Sequence, residues 1–540
     1  MMQVPVLIAG GGPIGLALAA DLGRRGVGTL LVEQNDDRIG SGKMLEVSVR
    51  TMEFCRQLGI ADQVRHWGFP LDHRLDSAFV TNLRGYELGR VVTPSLAAEP
   101  SIAHSPERGL PCPQTWFDPI LQRHARSFPH VTLRYRTKLE SFVQDLDGVT
   151  ATLRNAENGR SETVRCDYLV GADGFASTVR ELLGIEVRGE RHIDWSMTIY
   201  LRIANLAAHH DKTQAFRYVF VGPEGTWSFL TTIDGRDYWR LQLVGLDPDR
   251  LDGMDIAALM RRAVGCDVPF EVADKNLWVR KRTVADRFMD ERVFLAGDAA
   301  HAHPPNGGLG MNTGIQDAFD LGWKLEAALK GWGGPALLES YDWERRPASA
   351  RAAEMSLANY RRLTSAAPNT ALEAPTAEGD AVRRRVGQRL VEENEKSWHP
   401  LGVHLGYIYD PSPIVVPDGT KRPEDDTVGY VPCAFPGARA PHVWLESGRS
   451  IFDLFGPGFT LLKFADAPSG ALEAAADARQ VPLRVATIRD REAAALYAAP
   501  LVLVRPDGHV AWRGTEPQDP RALIDRVRGA GSRIAARRAE

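Results

Sequence analysis

The sequence predicts an α/β fold: a Rossmann-like nucleotide-binding core, an inserted β-sheet, and a smaller α/β domain towards the C-terminal end. Three observations carry that prediction. First, an apolar, β-branched run at residues 4–9 leads into Gly10-Gly11-Gly12-Pro13-Ile14-Gly15, then into helical periodicity over residues 16–25 and a second apolar run at 29–32 that stops at Glu33. A strand, a glycine-rich turn, a helix and a strand ending in an acid are the parts of a dinucleotide fingerprint. Second, residues 193–244 are dense in aromatic and β-branched side chains, the composition of a sheet. Third, beyond a Pro-, Asp- and Gly-rich stretch at 410–426, short apolar runs bounded by Gly and Pro alternate with helical segments.

Composition narrows the class. A chain of 540 residues has room for two to four domains. Hydrophobic residues at 44% and charged residues at 25% are ordinary for a soluble globular protein. A net charge of −4 gives no reason to expect a nucleic-acid or anionic-membrane partner. The five cysteines, Cys55, Cys112, Cys166, Cys266 and Cys433, show no CxxC spacing, so neither a metal site nor a disulfide framework is expected, and a reducing cytoplasm is the natural home. The N-terminal segment has no basic stretch and runs directly into a strand, so no signal peptide is expected. The longest apolar run, residues 493–504, contains Pro500 and is too short to span a bilayer.

Taken in order, each element has a reason. Gly10 suits the tight turn, Gly12 the approach of a pyrophosphate, and Gly15 the close packing of helix on strand. Glu33 suits a ribose hydroxyl and disfavours a 2′-phosphate; the fingerprint alone does not separate FAD from NAD. Lys43 is a candidate for a phosphate or ring edge, or a solvated lysine. Residues 50–59 read as a helix ended by Gly59. Residues 68–110 read as irregular. Gln114 is either an amide donor to a ligand or a loop amide serving its own backbone, and Asp118-Pro119 suit a helix cap and first turn. Residues 131–164 read as a small antiparallel sheet.

Residues 166–180 repeat the pattern of an apolar strand ending in an acid, here Asp173, before a helix. Asp173 could meet a cofactor hydroxyl or tie loops together, and Arg180 could pair with Asp173 or sit near a phosphate. In 216–220 the alternation Phe-Arg-Tyr-Val-Phe lines one face with rings, as a pocket wall or as a core. Residues 293–325 are the centre of the pattern. An apolar strand ends at Gly297-Asp298, a Gly/Pro loop runs from His303 to Gly310, and a helix begins near Met311. Its free N–H groups and positive dipole end would cradle something polar. A long helix follows over about 334–363. The arginines Arg526, Arg528, Arg533, Arg537 and Arg538 read as a solvated helical end.

Gly10-x-Gly12-x-x-Gly15 with Glu33, then Asp173-Gly174, then Gly297-Asp298, in that order and separation, resembles the triple signature of the class A flavoprotein monooxygenases, the group of para-hydroxybenzoate and phenol hydroxylases. The likeness covers about residues 4–350. The segments at 405–410 and 435–445 resemble the longer branch, whose third domain is thioredoxin-like without CxxC. The resemblance implies FAD-binding segments at 1–75, 100–190 and 280–365, a substrate-binding sheet from 76–99 and 191–279, a helical linker at 366–420, and a thioredoxin-like domain at 421–540.

It also implies one non-covalent FAD, with NADPH or NADH and O2 as co-substrates. Gly10, Gly12, Ile14 and Glu33 would lie along its ADP half, with Pro13 and Gly15 in the same set. Gln114 and Asp298 would approach the ribityl and pyrophosphate parts. Gly310, Met311 and Asn312 would place N–H groups at the pyrimidine edge, Lys43 would stand for the family's arginine near the flavin, and Asp173 would serve both FAD and the nicotinamide. The implied reaction is hydroxylation of a phenolic or polycyclic aromatic compound through a flavin C4a-hydroperoxide. A Baeyer–Villiger or epoxidising reaction on a polyketide-like substrate and a non-catalytic flavin carrier are the alternatives. Several relatives carry an acid or His where this chain has Leu45, with Glu46 expected to point elsewhere. The remaining catalytic candidates are Tyr218, His303, Arg240 acting electrostatically, and Pro305 stiffening the loop. Asp320, where relatives often have Asn, reads as helix surface. A small aromatic substrate is the expected partner, and a homodimer is the assembly considered.

Overall fold

The structure, a computed structural model, describes residues 1–38, 42–247, 254–366, 368–398 and 400–531. Its organising layer is a sheet of eight strands among the described residues, with Met2–Ala9 and Ser161–Gly171 at its centre. Thr29–Val32 and Val131–Arg134 extend it in parallel on one side, Val293–Leu295 on the other, and the short strand Met289–Asp290 closes that edge antiparallel. The inner strands are buried on both faces, which is why they read as unbroken apolar runs. The helices Pro13–Arg24, Gln114–Arg126 and Leu309–Leu329 share its core. The segment read as a small antiparallel sheet is a hairpin, Thr137–Asp145 with Gly148–Asn155, attached to Ser161–Gly171.

The second layer is a sheet of seven strands among the described residues, ordered Glu271–Val279, Trp195–Arg202, Tyr238–Leu246, Gly225–Thr232, Arg217–Gly222, Ser77–Val80, Glu87–Val91. Its last two strands lie in the stretch that the sequence suggests is irregular. Ser77–Val80 is buried throughout and only four residues long, too short for its pattern to show. One face of this sheet packs on the helix Ile256–Val264. Part of the other packs on the helices Pro335–Leu363 and Ala377–Trp398.

Three local expectations need correction. The helix at 114 starts four residues before Asp118, because Pro113, with φ −58°, sets its entry; Asp118 lies inside it, buried. The helix expected near Met311 begins at Leu309, after Gly308 at φ +63°, a left-handed turn that suits glycine. Asp320 is not helix surface: it is 1% exposed and bound to Lys324 and Arg505.

The C-terminal unit has four strands ordered Leu483–Ile488, Phe459–Phe464, Leu501–Val504, Val510–Gly514, the first pair parallel and the others antiparallel. Helices between the first three strands and after the last give a thioredoxin-like topology. It does not stand alone. Its core contains Trp323 and Ala327 of the helix Leu309–Leu329, Leu337 of the helix Pro335–Leu363 and Trp332 of the turn between them, with Trp323 and Trp332 stacked at 6.3 Å. Beside this core Arg505 donates to Glu344, Asp320 and Asp507, while Lys324 donates to Asp320 and Glu344, all buried. A second tie runs through Arg439, which donates to Glu53 at 3.0 Å; Glu53 also takes the Arg50 guanidinium at 2.8 Å. Arg533, Arg537 and Arg538 lie outside the described residues.

Removing one partner of a buried ion pair leaves the rest uncompensated, which costs ~3–5 kcal/mol. Arg505→Ala should therefore lower the unfolding free energy by an amount of that order, read as a lower urea midpoint by tryptophan fluorescence; an unchanged midpoint would show that the junction contributes little.

Candidate functional site

Four strands of the parallel sheet end in one row. Val32 pairs with Ala9, Ala9 with Gly171, and Gly171 with Leu295. Glu33, Asp173 and Asp298 follow just beyond that row, so three acids stand along the carboxyl rim of one sheet, where α/β folds bind their ligands. Gly10, at φ +114°, packs so tightly that a Cβ would lie 2.2 Å from the carbonyl oxygen of Ala172. Glu33 accepts from the Gly11 N–H at 2.7 Å, and its other oxygen holds Asn35. A Cβ on Gly12 would meet nothing within 4 Å, so its backbone is open to a diphosphate. Ile14 packs beside Gly297 and Gly314, joining the fingerprint helix to the strand–loop–helix unit. One carboxylate oxygen of Asp173 is buried without a partner, while the other accepts from the Val179 N–H at 3.2 Å. Arg180 donates to the carbonyls of Ala299 and Phe175 and not to Asp173.

The loop between Asp298 and the Leu309 helix is held from beneath by Asp317. This buried carboxylate accepts from the Gly297 N–H at 3.0 Å, His301 Nε2 at 2.7 Å and Arg345 Nε at 2.8 Å. Burial alone would raise its pKa, but His301 and Arg345 hold it below the usual carboxylate range. His303 stacks on His301 at 4.8 Å, and burial pushes its pKa well below the ordinary histidine value. Neither of its ring nitrogens has a hydrogen-bond partner, so it is a neutral imidazole beside the loop. Arg280 Nη1 donates to Asn306 at 2.8 Å, fixing the loop from the sheet side. Pro304 is buried and Pro305 exposed; the Pro305 carbonyl accepts from the Gly308 N–H at 3.1 Å.

At the start of the helix, Gly310 and Met311 lie half-buried and Asn312 is buried. The Asn312 side chain is a four-way staple. Its oxygen accepts from Ser48 N at 2.8 Å and Thr51 Oγ1 at 2.7 Å, and its nitrogen donates to the carbonyls of Glu46 and Gly308. The loop that carries Lys43 to Val47 is thereby pinned to the helix N-terminus. Lys43 itself is exposed, and its backbone N–H donates to Gln114 Oε1 at 3.1 Å. The Gln114 nitrogen donates to Asp118 at 2.9 Å, so both ends of this amide serve the protein. Burial pushes Asp118 up to about 7.

The seven-stranded sheet faces this loop. Arg217, Thr231, Arg240 and Tyr200 are paired in register across four strands and so share a face. Tyr200 donates to the Gly42 carbonyl at 2.8 Å and Arg240 to the Lys43 carbonyl at 3.2 Å. Tyr218, one residue from Arg217, points the other way, into the core on Ile256–Val264, and its hydroxyl takes the Ala215 N–H. It is withdrawn as a catalytic candidate, because a strand alternates its faces. Leu45 is buried against Tyr200 and Ile233. Glu46 does not point away: it lines a cleft of about 190 Å³ with Phe216, Arg217, Gly307, Asn312 and His404. Of the cleft's charged residues, Arg217 is not among the candidates that the sequence offers. The signal was a charged residue inside an alternating aromatic strand, which a core reading does not explain.

A rim of three acids, an open Gly12 backbone and a helix N-terminus facing a sheet form a dinucleotide-binding site. Comparison with known proteins names the family. A family model described as FAD binding domain matches residues 3–356, and one described as aromatic-ring hydroxylase, C-terminal, matches 434–531. A 4-methyl-5-nitrocatechol 5-monooxygenase of Burkholderia sp is 33% identical over 97% of this chain and 96% of its own length. Tetracenomycin B2 monooxygenase-dioxygenase of Streptomyces olivaceus is 33% identical over 99% of both. The solved structure of chromopyrrolic acid-soaked RebC with bound 7-carboxy-K252c is 40% identical, with a TM-score of 0.92 over 98% of this chain and 100% of that one. Aklavinone-11 hydroxylase with FAD and aklavinone is 30% identical, with a TM-score of 0.83 over 98% of this chain and 99% of that one. The chain belongs to the FAD-dependent aromatic-ring hydroxylases, and it is a monooxygenase that uses FAD and O2. Among the described residues no helix is long and apolar enough to cross a membrane, and no cluster of ligating side chains could hold a metal.

Two outcomes follow. Asn312→Ala leaves a buried N–H and carbonyls unpaired, and each such loss costs ~1–3 kcal/mol. The variant should bind FAD about tenfold more weakly, read by equilibrium dialysis. Asp118 has a raised pKa in the fold, about 7 against 3.8 ordinarily, so the folded state binds more protons than the unfolded chain between those values. Its stabilising contribution is complete below pH 3.8 and is lost as pH rises to 7. Asp118→Asn should flatten the fall in denaturant midpoint over that interval; an identical slope would show that Asp118 ionises normally.

Proposed function

We propose that the chain hydroxylates a phenolic or polycyclic aromatic substrate, with a reduced nicotinamide as electron donor. The observation that carries this reading is the placement of the Leu309 helix N-terminus and its loop against the Arg217–Tyr200 face of the sheet, with the cleft of about 190 Å³ between them. The relatives named above are a 4-methyl-5-nitrocatechol 5-monooxygenase and a tetracenomycin B2 monooxygenase-dioxygenase, and two solved neighbours hold 7-carboxy-K252c and aklavinone.

In this reading Gly10, Gly12, Pro13, Ile14, Gly15 and Glu33 hold the ADP half, Glu33 through a ribose hydroxyl. Asp298 and Gln114 border the diphosphate and ribityl chain, with the Gln114 amide turning from Asp118 or Lys43 to do so. Asp173 offers its unpartnered oxygen. Gly310, Met311 and Asn312 present backbone N–H groups and the helix dipole to the pyrimidine edge, which stabilises negative charge there. Bound FAD supplies the activation of O2 and the transfer of one oxygen atom. The protein does the rest. Pro304 and Pro305 stiffen the loop, Arg280 and Asp317 hold it from opposite sides, and Leu45, Phe216 and Tyr200 exclude water from the aromatic ring. His303 stays neutral and contributes no charge. Segments 76–99 and 191–279 form the substrate wall, while 366–420 and 421–540 brace it. One observation favours a second reading. With Leu45 buried and apolar, no acid or His at that position deprotonates a phenol, as a ketone oxygenation would allow.

The deciding measurement is NADH or NADPH oxidation by the yellow protein against a panel of phenols and polycyclic quinones, with products identified by mass and NMR. A substrate that accelerates oxidation and gains one oxygen with its ring intact supports hydroxylation; gain of oxygen with ring expansion moves the assignment to the ketone reaction. Failure to bind FAD would end both.

A further inference from the structure

The loop from His303 to Gly308 carries two polar side chains, His303 and Asn306. The ring nitrogens of His303 are buried, so Asn306, which is half-buried, is the one that offers a hydrogen-bonding group outside the core. Its oxygen is held by an extended network. Arg280, 0% exposed, donates from Nη1 to Asn306 Oδ1 at 2.8 Å, from Nε to Asp194 Oδ1 at 3.0 Å and from Nη2 to Ser196 Oγ at 2.8 Å. The guanidinium lies over the Tyr360 ring, 3.9 Å from its centroid, and the Tyr360 hydroxyl donates to the other oxygen of Asp194. Burial pushes that hydroxyl up to about 12, so it stays a donor at neutral pH. A guanidinium has donors and no acceptor, which gives the Asn306 amide one orientation: oxygen towards Arg280, NH2 away from it. That NH2 has no hydrogen-bond partner among the described residues. The next residue, Gly307, has φ +90° and lines the cleft of about 190 Å³. A buried cation with four neighbours thus directs one arm to the orientation of a single amide next to the cleft.

We propose that Asn306 is a specificity-determining residue that donates a hydrogen bond to a ring carbonyl of the aromatic substrate, and that Arg280 is the positioning residue that turns it. The proposal rests on the hydroxylase reading above and narrows its substrate class. The amide NH2 donates and does not accept. A carbonyl oxygen satisfies it, whereas a bare hydrocarbon edge strips its water and leaves it unpaired. No charge is involved, so the discrimination is that of one neutral hydrogen bond, roughly threefold to tenfold in affinity. Aspartate has the shape of asparagine with the opposite hydrogen-bonding sense. At this position one carboxylate oxygen stays on Arg280 and the other faces the ligand as an acceptor. The role of the amide is therefore readable as a swap in ligand preference, which a change of loop shape alone does not produce.

The test uses the full-length, FAD-loaded protein in its oxidised form and three probes of one skeleton, tetralin, 1-tetralone and 1-tetralol, with binding read by calorimetry. The wild-type holoenzyme should bind 1-tetralone about fivefold more tightly than tetralin. Asn306→Asp should bring 1-tetralone to or below tetralin and leave 1-tetralol, which can donate, the tightest of the three. Arg280→Met frees the amide to turn and should bring the ratio of 1-tetralone to tetralin towards one without inverting it. Equal binding of 1-tetralone and tetralin by the wild-type holoenzyme, failure to bind any of the three, or a carbonyl preference that survives Asn306→Asp would overturn the assignment. FAD affinity is measured on the same variants by equilibrium dialysis. A loss confined to FAD, with the probe ratios unchanged, would give the amide to the cofactor and overturn its substrate role. A chain that takes up no flavin would instead defeat the hydroxylase reading itself.

Discussion

The Asp317 carboxylate is the interaction on which the site depends. It receives a backbone N–H from the end of a buried strand, an imidazole from the following loop and a guanidinium from the neighbouring helix. Each donor comes from a different segment, so one carboxylate joins a strand end, a loop and a helix. A loop containing two prolines and two glycines at positive φ has little hydrogen bonding of its own, so its shape is imposed from outside. Asn312 does the same one turn away for the loop at 46–48. Two polar side chains, both buried, therefore convert a glycine-rich connection into a fixed cradle. Both must be fully satisfied, since a half-satisfied buried network costs more than an apolar one.

The two sheets divide the work by their hydrogen-bonding pattern. In the parallel sheet every inner strand ends at the same rim, so acids that follow different strands stand side by side although they are far apart in sequence. In the mostly antiparallel sheet the side chains alternate, so one face is core and the other a wall. Arg217 and Tyr218 are adjacent in the chain and separated by the thickness of a sheet. That alternation decides which residues a ligand can touch.

The fold class, the fingerprint and the strand–loop–helix unit are legible in the sequence because each is a local pattern. A buried strand, a glycine turn and an acid fall within about thirty residues. What escapes is long-range pairing. The burial of Asp320 depends on Arg505, 185 positions away, and helical periodicity cannot show an ion partner in another domain. The direction of Glu46 is set by the Asn312 staple, which fixes the path of that loop and is invisible in its neighbour Leu45. Asp118-Pro119 has the composition of a helix opening, whereas Pro113 fixes the backbone four residues earlier. Tyr218 and Arg217 are distinguished only by the register of four strands, which places one in a core and the other in a cleft.

The helix Leu309–Leu329, whose first turn closes the glycine-rich loop, has its other end buried by strands from residues 459–514. During synthesis the ribosome completes the cofactor fingerprint early and the covering of Trp323 last. Until those final strands arrive, the indole and the Lys324 ammonium on the same helix lack their apolar and anionic surroundings. The flank of this helix is therefore completed by residues more than a hundred positions further along the chain, and its burial is a property of the whole sequence and not of the fingerprint segment alone.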